Sequence, residues 1–206
     1  FGKNGGIDFG IGEVAILEDS SMVTPAGCSS ISDDEGDLMF YTNGQTVWNR
    51  NHQIMTNGEG LSGEIDGIQS AIIVPKPNDY STYYIFYTRE NTQTNPIYFL
   101  PGVYYSEVKF DAQNPLGYIT ENKDIRIAEI NSTSRIAAIH HPESDSIRVV
   151  SITKPDPVFG YIVPDGEFIF RIFNVTPSGV DTTPVKRDID ENLGRLGAMK
   201  FSPDGS

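Results

Sequence analysis

"FYTNGQTVWNRNHQIM", residues Phe40 to Met55, decides how the rest of the chain is read. It holds the sole tryptophan, Trp48, an Asn-Gly pair and the polar run Asn49, Arg50, Asn51, His52. So many hydrogen-bonding side chains beside aromatics form either a ligand site or a succession of tight β-turns. Asn and Gly tolerate left-handed backbone, and Asn also caps its own turn. Turn chemistry alone therefore accounts for Asn43, Gly44, Asn49 and Asn51. On this reading "TNG" joins one strand pair and "NRN" the next, leaving Val47 and Trp48 on the strand between them.

The same pattern recurs. "CSSISDDEGDLMFYT" from Cys28, "SAIIVPKPNDYSTYYIFYT" from Ser70, "IAAIHHPESDSIRVVSI" from Ile136 and "GAMKFSPDGS" from Gly197 each run strand, polar turn, strand. The turn prolines Pro77, Pro142 and Pro203 lie 65 and 61 residues apart (77 to 142, 142 to 203). The turn at Asp33 comes 44 residues before Pro77 (33 to 77). Four strands in a unit of about 40 to 50 residues is the pattern of a propeller blade, and the longer units require insertions. Two related stretches supply them: "NPIYFLPGVYYSEV" (Asn95 to Val108) and "DPVFGYIVPDGEFIFRI" (Asp156 to Ile172). Each runs Asx-Pro, aliphatic, aromatic, then Pro and Gly before a strand.

The expected fold is all-β, a partial β-propeller of four-stranded antiparallel blades, about three blades plus the start of a fourth. Residues 1–206 form a single propeller fragment. Within it 1–26 is an N-terminal segment, 27–56, 69–130 and 135–187 are blades, and 196–206 begins the next. Strands are expected near 27–32, 37–42, 45–49 and 52–55, then 69–75, 83–89, 103–109 and 125–130, then 135–140, 146–152, 167–174 and 179–186. "GEVAIL" (Gly12 to Leu17) is expected as a lone strand that completes the last blade and closes the ring, removing an exposed sheet edge.

Composition agrees with many short strands: 20 Gly, 13 Pro and 11% aromatics in 206 residues, with no long helical apolar period. The net charge of −13 argues against a nucleic-acid groove, which is lined by Lys and Arg. No apolar run approaches the length of a transmembrane segment. The single cysteine, Cys28, allows no intrachain disulfide and no thiolate metal cluster, and its small neighbours suggest a buried core position.

Candidate chemistry is sparse. "HHPESD" (His140 to Asp145) has metal-ligand residue types without a zinc spacing, and no metal site is expected. "SDDEGD" (Ser32 to Asp37) has calcium-type oxygens but no EF-hand glutamate at the twelfth position, so a solvated hairpin turn is expected, and Gly63 to Gly67 is expected to be a flexible connector. Glu64, Asp66, Glu90 and Asp156 lie in loops, with nothing to select a catalytic pair. No nucleophile elbow is present. No catalytic residue and no cofactor is expected. The insertions are expected to converge on one rim and to present Tyr98, Phe99, Leu100, Phe159, Tyr161 and Ile162 there. Of these Tyr98, Phe99, Phe159 and Tyr161 are the candidate ligand-binding residues, for a glycan or protein ligand. Covering a neighbouring blade is the other role open to these aromatics.

"FSPDGS" (Phe201 to Ser206) resembles the start of the WD40-like repeat of TolB-type β-propellers. "FGKNGGIDF", "CSSISDDEGDLMFYTNGQTVWNRNHQIMTNGEGLSG" and "QSAIIVPKPNDYSTYYIFYT" together resemble the N-terminal propeller domain of large secreted Bacteroidetes surface proteins. That group includes gliding-motility-associated, adhesin-like proteins that commonly end in a type IX secretion sorting domain. The resemblance covers most of residues 1 to 90 and is looser beyond. It implies an exported protein, extracellular or at the outer-membrane surface, processed before Phe1 and in contact with secretion-system components during export. It transfers no catalytic residue. It implies O-glycan acceptors in "DSI" at Ser146 and "DTT" at Thr182. The function expected is a non-enzymatic binding or adhesion module. The alternatives are a polysaccharide-active propeller hydrolase and a TolB-like periplasmic envelope component.

Overall fold

A computed structural model describes residues 4–9, 13–89, 100–128, 132–141, 143–153, 168–189 and 198–202. The described chain is all-β, with no helix. It opens with a two-stranded antiparallel hairpin, β1 (Gly6–Asp8) and β2 (Ala15–Leu17). The expected strand within "GEVAIL" is thus present, and its partner here is β1.

Three antiparallel meanders follow. The first comprises β3 (Ser29–Ser32), β4 (Leu38–Thr42), β5 (Thr46–Asn49) and β6 (Ile54–Glu59). In the second, β7 (Ala71–Lys76), β8 (Asp79–Arg89) and β9 (Gly102–Lys109) pair in turn. The short β10 (Tyr118–Ile119) and then β11 (Ile125–Ala128) share the far edge of β9. β10 also pairs in parallel with β6, joining the first two meanders into one nine-stranded sheet. The third meander is β12 (Ser132–His140), β13 (Ile147–Thr153) and β14 (Phe168–Thr176), with β15 (Gly179–Val180) and β16 (Val185–Ile189) both on the outer edge of β14.

Turn chemistry places these strands. Pro77 and Asn78, with Asn78 at φ 61°, make a two-residue turn of the type II pattern, so pairing resumes at once between Lys76 and Asp79. This is why β8 starts at Asp79, four residues before the expected 83. The Asn43–Gly44 turn departs from a two-residue hairpin. Only Gly44 has positive φ, and Asn43 Oδ1 accepts from the N–H of Gln45 (3.0 Å) and Thr46 (2.9 Å). The loop is therefore a four-residue Asx turn between the paired Thr42 and Val47. At the next turn Asn49 Oδ1 accepts from the N–H of Asn51 and Gln53, so the polar run is structural there as well. The acidic loop is a hairpin turn, with Asp33 Oδ1 accepting from Asp37 N–H at 2.7 Å.

The core lies between the meanders, and β8 shows how. Successive strand residues point to opposite faces, and both faces of β8 are buried. Tyr83, Ile85 and Tyr87 join Phe40, Val47 and Met55 of the first meander in one cluster. Tyr84 and Phe86 join Ile136, Val149 and Phe173 of the third in another. Each of these five β8 side chains, when buried, contributes about 1.5–3 kcal/mol. The second meander is thus packed on both faces, and its neighbours cover one side each.

The connector between the first two meanders corrects the expectation of a flexible link. Leu61, Ser62 and Gly63 are buried, and Gly63 N–H donates to Gly44 O at 3.0 Å. A Cβ on Gly63 would sit 2.2 Å from that same oxygen, so only glycine allows the approach. Asp124 fastens the same segment. Its carboxylate accepts from Ser62 N–H at 2.7 Å, from the Ser62 hydroxyl, and from the buried Tyr87 hydroxyl at 2.8 Å.

Further along, the strands that open the second and third meanders come together. Gln69 and Arg135 form a parallel β-bridge, and Gln69 N–H donates to Ser134 O at 3.1 Å. The Gln69 side chain then clasps a third segment, donating to Met199 O at 3.0 Å and accepting from Met199 N–H at 2.7 Å.

Candidate functional site

Tyr98, Phe99, Phe159 and Tyr161 lie outside the described residues, as does Ile162. Leu100, the described member of that group, is exposed. Both insertions join the second strand of a meander to its third, β8 to β9 and β13 to β14.

A cavity lined by described residues lies elsewhere. A half-open groove of about 330 Å³ lies between the N-terminal hairpin and the outer face of the first meander, the face turned away from the second. Ser30 pairs with Tyr41 and Ser32 with Leu38, so those four side chains share the groove floor. Below it Tyr41 stacks on Trp48, ring centroids 5.4 Å apart and 14° from coplanar, against the buried Met22. β1 and its flanks form the opposite wall, contributing every residue from Gly5 to Phe9.

His52 sits at one end of the groove on a strained backbone. Its φ of 59° lies in the left-handed region that turns ordinarily give to Gly or Asn. Three contacts hold it there. Tyr41 OH lies 3.1 Å from His52 Nδ1, Asp19 Oδ2 lies 3.4 Å from Nε2, and the His52 carbonyl accepts from the Ser21 hydroxyl at 2.7 Å. Ser21 N–H donates to the Tyr41 oxygen at 3.0 Å, which leaves the phenol proton for His52 Nδ1. A neutral imidazole protonated on Nε2 then satisfies both partners. The chain Ser21–Tyr41–His52–Asp19 ties the N-terminal segment to the turn after β5.

The groove is rich in acceptors. Asp8, Asp19 and Asp37 line it, all exposed, with serine hydroxyls between them. Among its described lining residues there is no Lys or Arg. Such a surface attracts cations and repels anions. Cys28 also lines it and is exposed, which corrects the expectation of a buried core thiol. It precedes β3 and lines the groove beside Ser30 and Ser32, whereas Ile31 packs against the core.

A second, shallower basin collects His141, Ser146, Arg148 and Asp181 at the β12–β13 turn. Ser146 is half-buried there, its hydroxyl 2.8 Å from that of Ser144, whereas Thr182 is exposed in the loop after β15. Among the described residues no three His, Cys, Asp or Glu side chains are grouped to hold a metal ion. Tyr84, Tyr87 and Tyr105 are pushed above the usual tyrosine range by burial, reinforced by Glu107 for Tyr84 and Tyr105 and by Asp124 for Tyr87. These phenols belong to the core and none faces the groove.

The groove leaves little trace in the sequence. Its one available signal was His52, a bulky residue where the turn pattern calls for Gly or Asn. Asp8, Asp19 and Cys28 carry no mark of their own. No helix of the described residues is long and apolar enough to cross a membrane. No protein-family model matches the chain, and no curated protein matches its sequence.

Proposed function

We propose that the chain is a non-enzymatic binding or adhesion module on a β-propeller scaffold, belonging to an exported bacterial surface protein of the type IX-secreted, gliding-associated kind. The observation that carries the scaffold reading is the parallel bridge between Gln69 and Arg135. Strands that open successive blades of a propeller run side by side about a common axis, each sheet packing its face on the next. The parallel start of β7 and β12, with β8 buried on both faces, fits that arrangement. On this reading the repeat beginning at Gly197 is the start of a further blade, and the N-terminal segment is the source of a ring-closing strand.

The binding reading is supported by where the insertions fall. Both join the second and third strands of a meander, so in a propeller both emerge on one rim, bringing Tyr98, Phe99, Phe159 and Tyr161 together as a glycan- or protein-contacting surface. Export and surface location rest on the resemblance of the first 90 residues, as do the glycan acceptors Ser146 and Thr182. The test is incubation with a panel of insoluble and soluble polysaccharides, measuring retained protein and released reducing ends. Retention lost on Tyr98→Ala/Tyr161→Ala, with no new reducing ends, supports a binding module. Released reducing ends overturn the non-enzymatic reading.

A further inference from the structure

We propose that the basin at the β12–β13 turn binds a carboxylate-bearing sugar, a hexuronate residue of an acidic polysaccharide, with Arg148 on the carboxylate and its polar neighbours on the ring hydroxyls. Strand register builds the site. Arg148 lies on the middle strand of the third meander, paired with Ile139 of β12 on one side and Asn174 of β14 on the other. The core takes Ile147, Val149, Phe173 and Val175, so Arg148 and Asn174 share the opposite face. Hydrogen bonds fix the loops around them. His141 N–H donates to Ser146 O and Asp181 N–H to Asn174 O, both at 2.8 Å, and Asn78 Nδ2 donates to Asp145 Oδ2 at 3.3 Å. A lining held in this way loses little freedom when a ligand arrives.

Three properties select the ligand. The first is the Arg148 guanidinium, which is exposed and, among the described residues, engaged by no hydrogen bond or ion pair. The carboxylates that share the basin accept protein N–H groups instead, Asp145 from Asn78 and Asp181 from Thr183 at 2.9 Å. The planar fork of an arginine matches a carboxylate through two parallel hydrogen bonds. The second is polarity. Among the described lining residues Pro177 is the sole apolar one and none is aromatic, so nothing there rewards a nucleobase, an acyl chain or an apolar peptide side chain. The third is the mixture of donors and acceptors. His141 Nδ1 accepts from Glu143 N–H at 3.1 Å, which leaves the proton of the neutral ring on Nε2. The Ser144 and Ser146 hydroxyls, 2.8 Å apart, share one hydrogen bond and keep one proton to donate. The Asn174 carboxamide offers a donor and an acceptor, and Asp181 Oδ2 a further acceptor. Pyranose hydroxyls, each both donor and acceptor, match that alternation in a basin of about 530 Å³, of which a bare anion would use little.

Trigalacturonate is titrated into the intact chain and followed by backbone amide shifts, with its fully methyl-esterified form and acetate as controls. Intact mass first establishes that Ser146 carries no glycan in the sample. The expected result is saturable shifts centred on residues 141–148 and 174–181 with the acid trisaccharide. Affinity falls about tenfold for the ester and for Arg148→Gln, and the acid binds more weakly at ~0.5 M salt. Arg148→Lys keeps the charge without the fork and recovers only part of that loss. Because Arg148 is exposed, its substitution is expected to leave the far-UV spectrum unchanged. Equal affinity for acid and ester, undiminished binding by Arg148→Gln, acetate binding as tightly as the trisaccharide, or no saturation up to ~20 mM would each overturn the proposal. The insertion after β13 leaves from Thr153, the far end of that strand from Arg148. Tyr98→Ala/Tyr161→Ala is therefore expected to leave trigalacturonate binding unchanged, and the rim reading and this one fail separately.

Discussion

His52 is held in left-handed backbone while its ring bridges Tyr41 and Asp19, so two opposing costs meet in one residue. His52→Gly removes the strain together with the bridge and is expected to change stability by less than about 1 kcal/mol. His52→Ala loses the bridge and keeps the strain, and is expected to be about 1 kcal/mol worse than the glycine variant by urea denaturation. Tyr87 is the other decisive residue. Its hydroxyl reaches Asp124 (2.8 Å) and Ser106 (2.7 Å), and burial followed by the Asp124 charge raises its pKa well above the ordinary value. The unfolded phenol titrates near 10. Stability from the neutral phenol is therefore complete below about pH 10 and declines above it, by up to about 1.4 kcal/mol per pH unit. Tyr87→Phe is expected to cost about 1–2 kcal/mol at neutral pH. It should also flatten the alkaline loss measured by denaturant titration between about pH 10 and 11.5. The role of Tyr87 was not legible in the sequence, because a hydrogen-bond partner 37 residues away leaves no local pattern.

The strands themselves were the most legible feature, because period-two alternation and turn residues are local. β3 to β5 lie within a residue or two of their expected bounds, since Asn43, Gly44 and Asn49 act within four residues of themselves. β6 runs on to Glu59, beyond the expected 55, where β10 supplies a partner that no local signal announces. The connector over Gly63 to Gly67 was misjudged for the same reason: Gly63 serves close approach to the Gly44 backbone, and Gly67 to the Ser70 and Ser134 side chains, instead of local flexibility. The β7–β8 turn carries a pH-dependent element. Burial raises the Asp79 carboxyl, but hydrogen bonds from Ser81 and Thr82 and the Lys76 ammonium at 3.3 Å outweigh it and hold the pKa at about 2. The folded value lies below the ordinary 3.8, so this stabilisation is present above about pH 4 and is lost as the pH falls through 2. Asp79→Asn is expected to cost about 1 kcal/mol at pH 6 after solvent screening, and next to nothing at pH 2, by thermal unfolding at both values.

Across the whole molecule the account depends on meanders packed face to face, with β8 shared by two cores. Ile85→Ala and Phe86→Ala are adjacent in sequence but empty opposite cores, each at a cost of about 2–5 kcal/mol. Hydrogen exchange is expected to show protection lost in β4–β6 for the first and in β12–β14 for the second. The repeats suggested successive four-stranded units, but sequence spacing could not show which faces meet or that Gln69 would clasp Met199. On the proposed propeller scaffold, the parallel bridge between Gln69, just ahead of β7, and Arg135 of β12 is the feature expected of a radial stack and not of two sheets folded back on one another. Backbone nuclear Overhauser contacts between residues 69–70 and 134–135 test it most directly. The account predicts interstrand amide-to-α-proton contacts in a parallel register, with the Gln69 amide protected from exchange by the Ser134 carbonyl. An exchanging Gln69 amide, or contacts in an antiparallel register across these residues, would contradict it.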